Sequence, residues 1–454
     1  MAQALPRRVA IVGAGPAGLF AAQHLVTQQD LPVLVDVYDR LPTPFGLLRY
    51  GVAPDHTSIR SVATALAQTF DSDRIRFLGH VELGLDITHE QLVEAYDAVV
   101  YAVGAAGDLM MKVPGEALPG SGSARQFVAW YGGHPDANPQ SLRGVRSVAC
   151  IGVGNVAVDV ARILAKEPEE LRSTDMPESV LAELADSEIT DIWIIGRRGP
   201  QFASYTTKEL RELLATPGLE VVVEPGAFDG LDDVAGLDRR TRANIEALRA
   251  VAERPPRPVG SPAPRGRLHF LFWHRPVALL GEHRVERLAL ERTTLDADDR
   301  VVPTGEQRTI PADLVLRAIG YRGMALPGVP FDADRGVVPN EHGRVLGPDG
   351  LPLPGEYVTG WIKRGPIGVI GTNKSDAAET VAQLLADLPG LPRHDVDPLE
   401  RLRLEGIRPT SFEDWLAIDA AEIERGAETG RPRVKIEAWH ELMRLCNEER
   451  AGRT

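Results

Sequence analysis

The chain has 454 residues, 43% hydrophobic and 25% charged, a composition that suits two or three globular domains and is inconsistent with wholesale disorder. A net charge of −14 argues against a general nucleic-acid or anionic-membrane binder, though it leaves room for a local basic patch. The two cysteines, Cys150 and Cys446, exclude a disulfide scaffold, a CxxC redox pair and a thiolate-ligated iron–sulfur cluster within the chain, and fit a reducing, cytoplasmic compartment.

From the N-terminus, strand and helix patterns alternate. Arg7-Arg8 before an apolar run mimics a twin-arginine signal, but Val9–Val12 breaks at once into Gly13-Ala14-Gly15-Pro16, as a strand entering a turn does. Val9–Val12 is therefore predicted as a buried strand, Pro16–Thr27 as a helix, Val33–Tyr38 as a strand closing on Asp39, and Asp97–Ala102 as another strand. A second unit of this kind begins at Ser147–Ile151, turns at Gly152-Val153-Gly154, and continues as a helix over Val156–Leu164. Its next strand, Ile192–Ile195, ends in Gly196-Arg197-Arg198. Residues 166–190 read as a charged helical insertion, and 254–267 as a proline-rich surface connection. Further strands are predicted at Leu268–Trp273, Val285–Glu291, Leu314–Ile319 and Glu356–Gly360, and helices at Ser375–Leu388 and near 412–426. No 18-residue uncharged apolar stretch occurs. The fold class is α/β, with two Rossmann-like dinucleotide-binding units on parallel central sheets.

The two turns differ in a chemically informative way. Gly13-x-Gly15-x-x-Gly18 permits a tight turn, close approach of backbone to a pyrophosphate, and close packing of helix on strand, while Asp39 at the next strand end can accept from ribose hydroxyls. That carboxylate would repel a 2′-phosphate. The second turn has Gly152-x-Gly154 with Ala157 in the third position, and Asn155 placed to bond a phosphate. Its strand end carries Arg197 and Arg198, whose guanidinium forks match a 2′-phosphate. The contrast assigns FAD to the first turn and NADP(H) to the second. Two such sites imply hydride exchange between a nicotinamide and a flavin, a step that needs stacked rings and exclusion of water. What the flavin reduces stays open at this point, except that a disulfide acceptor reached through a proximal CxxC is excluded.

Five segments resemble one family, the adrenodoxin-reductase-type ferredoxin–NADP+ reductases: VDVYDRLPTPFGLLRYGVAPDH (35–56), GVGNVAVDVARIL (152–164), GRRGPQFASYTTKEL (196–210), TGWIKRGPIGVIGTNKSDA (359–377) and TSFEDWLAIDAAEIERGAETGRPRVKI (410–436). The resemblance spans nearly the whole chain. It implies a discontinuous FAD-binding domain, 1–107 and 324–454, with an NADP-binding domain, 108–323, inserted. Trp361 after Gly360 is discriminating, since many other flavin reductases have Gly-Asp there. FAD would be held by Gly13, Ala14, Gly15, Gly18, Asp39, Leu47, Val81, Trp361 and the backbone of Gly368, Val369 and Ile370, with a helix from Ser375 aiming its positive end at the ring. NADP(H) would be held by Gly154, Asn155, Val156, Arg197, Arg198, Glu209 and Gly368.

Leu109 stands where the family commonly has an Arg, which removes one NADP contact. His56 and Glu212 are candidates for a proton relay beside the flavin; the alternative is that Asp55-His56 caps the helix that follows. The implied electron acceptor is a ferredoxin, a small acidic iron–sulfur protein. An acidic enzyme can meet it only where arginines gather, and Arg239, Arg240 and Arg242, with Arg211, Lys363 and Arg364, are the candidates, although Lys363 and Arg364 sit inside the flavin motif and could instead neutralise cofactor phosphate. Two rival functions would use similar sites: an NADPH oxidase or monooxygenase, and an electron-entry subunit of a larger reductase. The absence of a monooxygenase-type FxGxxxHxxx(F/W) stretch between the two nucleotide units and of clustered cysteines weighs against each in turn.

Overall fold

The computed structural model describes residues 6–28, 32–56, 59, 61–231, 233–255, 263–394 and 397–452. Half of the proline-rich connection, residues 256–262, lies outside them. The chain forms two compact units. One comprises Met1–Val52, His56–Gly107 and Tyr321–Thr454; the other comprises Ala53–Asp55 and Asp108–Gly320.

The first unit is built on a seven-stranded sheet in the order Asn340–Glu341, Arg344–Leu346, Pro352–Val358, Ala98–Tyr101, Arg7–Val12, Val33–Asp39, Ile75–Gly79. The last five run parallel, and the first two are antiparallel additions at one edge. The β-branched runs VAIV and VLVDV explain the centre of the sheet, because strands buried on both faces read as continuous apolar segments. Helices Pro16–Val26 and Ile370–Asp387 pack on each other over one face through Leu19, Ala22, Val381 and Leu384.

The second unit has a six-stranded parallel sheet in the order Ser121–Ser123, Leu314–Arg317, Ser147–Ile151, Asp191–Ile195, Gly266–Leu271, Leu219–Val223. A separate three-stranded antiparallel sheet, His274–Leu280, Arg287–Leu295 and Val301–Pro311, packs on it around Leu271, Leu279, Leu288 and Ile310.

Several boundaries move from their predicted places for local reasons. The helix expected from Ser375 starts at Ile370, where the Thr372 hydroxyl accepts from the Val369 amide at 3.2 Å. The strand expected to reach Gly360 ends at Val358, since Gly360 takes φ 77° and turns the chain away. The strand expected over Leu268–Trp273 is Gly266–Leu271, and Trp273 turns at φ 59° into the antiparallel sheet. The strand expected at Val285–Glu291 is Arg287–Leu295, and the one at Leu314–Ile319 ends at Arg317. The insertion at 166–190 folds as two short helices, Pro168–Leu171 and Glu178–Ala185. Strands Ile75–Gly79, Leu219–Val223, His274–Leu280 and Val301–Pro311 and the helix Trp439–Gly452 have no counterpart in the sequence reading.

Candidate functional site

In the first unit, three segments distant in sequence converge on the N-terminus of helix Pro16–Val26. The turn itself is tight: Gly13 has φ 114°, and a Cβ there would lie 2.5 Å from the Ala102 carbonyl oxygen. Gly15, by contrast, faces open space, with nothing within 4 Å of where its Cβ would be. No side chain caps the helix that it precedes. A helix N-terminus that no side chain caps, its positive dipole end and an open floor match what a dinucleotide pyrophosphate requires. The Phe45 amide donates to the Ala14 carbonyl at 2.8 Å, which lays the loop bearing Leu47 against this turn. Gly360 packs against Ala17 so closely that a Cβ would approach the Ala17 methyl at 2.6 Å, which brings in the segment bearing Trp361.

Asp39 Oδ2 accepts from the Ala14 amide at 2.9 Å and Oδ1 from the Leu41 amide at 3.0 Å. A carboxylate offers about four lone-pair positions, so this one fixes the turn and retains acceptor capacity for a ribose. Val81 is buried and its amide donates to the Asp39 carbonyl at 3.0 Å, so a bound ring would find only its carbonyl. Trp361 is half-buried beside Tyr321, with ring centroids 5.5 Å apart. Gly368, Val369 and Ile370 lead into the N-terminus of helix Ile370–Asp387, five residues before the expected start, so the backbone groups and the positive helix end coincide.

Two carboxylates that the sequence reading did not single out hold this arrangement. Asp376 Oδ2 accepts from the Gly360 amide at 2.5 Å, the Thr359 hydroxyl at 3.1 Å and Arg364 at 2.7 Å, while Oδ1 lies 2.9 Å from Lys363 Nζ. Lys363 is also 2.6 Å from Glu379. Lys363 and Arg364 are therefore internal ion-pair partners, which corrects their candidacy as a docking surface. Glu422, fully buried, binds Arg49 with both oxygens at 3.1 and 2.5 Å and accepts from the Ile436 amide at 3.0 Å. The Arg49 guanidinium lies over Trp415 at 4.7 Å, and Phe45 meets Trp415 edge-on. The segment 410–436 thus grips the loop that carries Leu47.

In the second unit, Gly152 takes φ 133° and Gly154 precedes helix Asn155–Ala165, again without a side-chain cap. Ala157 is fully buried, as the small third position requires. Asn155 Oδ1 accepts from the Thr206 amide at 2.9 Å, so a phosphate can use only its Nδ2 donors. Val156 is half-buried, Arg197 is exposed and Arg198 is half-buried. Glu209 is buried with Oε2 3.2 Å from Arg162 Nη1, an engagement that the expected ribose or amide role did not include.

Arg162, with no solvent exposure, is the hub here: it also meets Asp159 at 2.8 Å and grips Asp55 at 2.7 and 2.9 Å. Lys166 adds a contact to Asp55 at 2.7 Å. Burial alone would raise the Asp55 carboxyl, but the hydrogen bonds and charges of Arg162 and Lys166 hold it well below the usual carboxylate range. Asp55 is thus tied to helix Asn155–Ala165. The capping alternative also involves residues 57, 58 and 60, which lie outside the described residues. His56 is buried, and Glu212 is exposed on helix Thr207–Leu214 with Lys208 3.8 Å away. Leu109 is 39% exposed, its amide donating to the Gly320 carbonyl at 3.2 Å. Both cysteines are buried free thiols, and burial pushes Cys150 up to about 12, which disfavours a thiolate. No helix among the described residues is long and apolar enough to cross a membrane.

The profile of the pyridine nucleotide–disulphide oxidoreductase family matches residues 7–215. The chain is 43% identical over 462 residues to the NADPH-ferredoxin reductase FprA of Mycobacterium tuberculosis, covering 97% of this chain and 99% of that protein. It is 41% identical to the mitochondrial NADPH:adrenodoxin oxidoreductase of Homo sapiens, covering 96% and 91%. The solved structure of Mycobacterium tuberculosis FprA in complex with NADPH superposes with a TM-score of 0.91 at 41% identity, covering 97% of this chain and all of that one.

Proposed function

The chain belongs to the adrenodoxin-reductase-type ferredoxin–NADP+ reductase family, and from that premise we infer how its residues divide the work. It is a flavoprotein oxidoreductase that takes reducing equivalents from NADPH and delivers them to a ferredoxin, an iron–sulfur protein. Bound FAD supplies the exchange of a hydride for single electrons.

The unit containing both chain ends holds FAD. Gly13 allows the tight turn and Gly18 the close packing of helix on strand, Ala14 and Gly15 border its pyrophosphate at the helix N-terminus, and Asp39 accepts from its ribose. Leu47 and Val81 also hold FAD, while Trp361, Gly368, Val369 and Ile370 border the ring, where the positive helix end favours added negative charge. The other unit holds NADP(H): Gly154, Asn155 and Val156 at the pyrophosphate, Arg197 and Arg198 at the 2′-phosphate, and Glu209 on the ribose or amide. Gly368 also takes part in holding the nicotinamide. His56 and Glu212 hold and pass the proton that accompanies hydride transfer. The poverty in cysteine supports a cytoplasmic location.

The single observation that supports this reading most is the opposite charge at two equivalent places: a carboxylate beside the first uncapped glycine turn, two guanidinium groups beside the second. The test is NADPH consumption in the absence and in the presence of oxygen, each with and without the host's ferredoxins. Consumption that requires ferredoxin supports the reading. Consumption that requires only oxygen would replace it with an oxidase. For the relay, His56→Gln should slow reduction by NADPH and flatten its pH profile, and an unchanged rate and profile would remove His56 from that role.

A further inference from the structure

The loop that carries Arg197 and Arg198 does not stand on its own. It rests on the antiparallel sheet, which is no part of the dinucleotide turn. The Thr293 hydroxyl, from strand Arg287–Leu295, donates to the Arg197 carbonyl at 2.8 Å, and Thr293 is only 2% exposed. The Thr293 amide in turn donates to the Trp273 carbonyl at 2.8 Å. Trp273 is buried at φ 59°, and its indole lies under Gly199 so closely that a Cβ there would be 2.5 Å from the ring. The Arg198 guanidinium lies over the Phe202 ring at 4.6 Å, and Phe202 meets Trp273 edge-on at 6.4 Å. Thr293 thus fixes the backbone of one arginine, and Phe202, backed by Trp273, orients the guanidinium of the other.

We propose that Thr293 and Phe202 are positioning residues for selection of a 2′-phosphorylated nicotinamide dinucleotide, acting through Arg197 and Arg198. The proposal rests on the assignment of those two arginines to the 2′-phosphate. Its physical content is preorganisation. A guanidinium already held over an aromatic face, on a backbone already hydrogen-bonded, loses less freedom when a phosphate arrives. None of these contacts depends on the part of the dinucleotide shared by NADPH and NADH.

The experiment uses the FAD-loaded enzyme and two probes, 2′,5′-ADP and 5′-AMP, which differ by the 2′-phosphate, with steady-state kinetics for NADPH and NADH. Thr293→Val keeps the shape and removes the hydroxyl that the Arg197 carbonyl accepts from, and Phe202→Leu keeps an apolar side chain without the π face. Each should weaken 2′,5′-ADP binding and raise KM for NADPH roughly fivefold, with kcat, 5′-AMP binding and KM for NADH unchanged. Thr293→Ser, which keeps the hydroxyl, should restore the native values and guards against a folding defect in the Val variant. Equal weakening of both probes would mean a merely structural role and would overturn the proposal, as would no weakening of either. Arg197→Ala with Arg198→Ala is the control for the underlying assignment. If that double variant keeps its preference for 2′,5′-ADP, the assignment fails and the proposal with it. If it loses the preference while the Thr293 and Phe202 variants keep theirs, only the proposal fails.

Discussion

Arg162 shows how one buried cation can organise a site without entering it. It sits on the same stripe of its helix as Val158 and Ala165, four and three residues away, so helical periodicity alone would make it a core position. A charge at such a position requires compensation, and Asp55, Asp159 and Glu209 supply it. That mismatch between residue type and helix face was the available signal in the sequence. It named a buried ion pair but not its partners, which come from segments far away in the chain. Asp55→Asn should lower stability at neutral pH by about 2 kcal/mol, as measured by urea unfolding, because Arg162 and Lys166 lose a charged partner. The sign with pH follows from the depressed carboxyl. Ionised Asp55 stabilises the fold fully above its unfolded value of about 4, and this contribution is lost as pH falls toward the lower folded value. The gap between native protein and Asp55→Asn should therefore close on acidification. A gap independent of pH between about 7 and 3 would contradict the ion-pair account.

At the scale of elements, helices and strands with one clear period were legible, and joints were not. The runs around Val9–Val12 and Val33–Tyr38 declared themselves as buried strands because they are continuous and β-branched. Strand Val301–Pro311 did not, because it is largely exposed and contains Pro303 and Gly305. The start of helix Ile370–Asp387 was misplaced because Gly371 and Thr372 are poor helix formers that the cap at Val369 nevertheless commits to the first turn. The C-terminal segment resembled the family, but its task was invisible until Glu422 was seen on Arg49 and Lys435 Nζ on the Arg49 carbonyl at 2.5 Å. Glu422→Ala would strand a buried guanidinium, at a cost of about 3 kcal/mol, and loosen the loop bearing Leu47. The expected outcome is FAD release at least tenfold faster, followed by flavin fluorescence, with unchanged preference between NADPH and NADH. Native retention of FAD would show that the segment does not hold that loop.

For the whole molecule, the net charge of −14 makes the distribution of arginines decisive. Lys363 and Arg364 are occupied by Asp376, which leaves the helix Arg239–Ala252 and its neighbour Arg211 as the basic candidates. Arg211, Arg239 and Arg240 are exposed, and Arg242 is half-buried. Arg239 and Arg240 stand in the first turn of their helix, against its dipole, with Asp238 capping that end. Reversing both to Glu should slow ferredoxin reduction severalfold at low salt, converge on the native rate near 0.5 M salt (roughly a 4 Å screening length), and leave flavin reduction by NADPH untouched. Equal slowing at all ionic strengths would place the docking surface elsewhere.

The cysteine count argued against a disulfide acceptor, and the opposite charges at the two strand ends carry the proposed division of the nucleotides, so the sequence was more informative about the chemistry than about the packing that supports it. The central claim is that Asp39 and the pair Arg197 and Arg198 divide FAD from NADPH between two similar turns. It is tested most directly by anaerobic stopped-flow bleaching of the bound flavin with equal concentrations of NADPH and NADH, followed by addition of ferredoxin. The account predicts bleaching by NADPH at least tenfold faster than by NADH, and recovery of the oxidised spectrum when ferredoxin is added. Equal rates with the two nucleotides would contradict it.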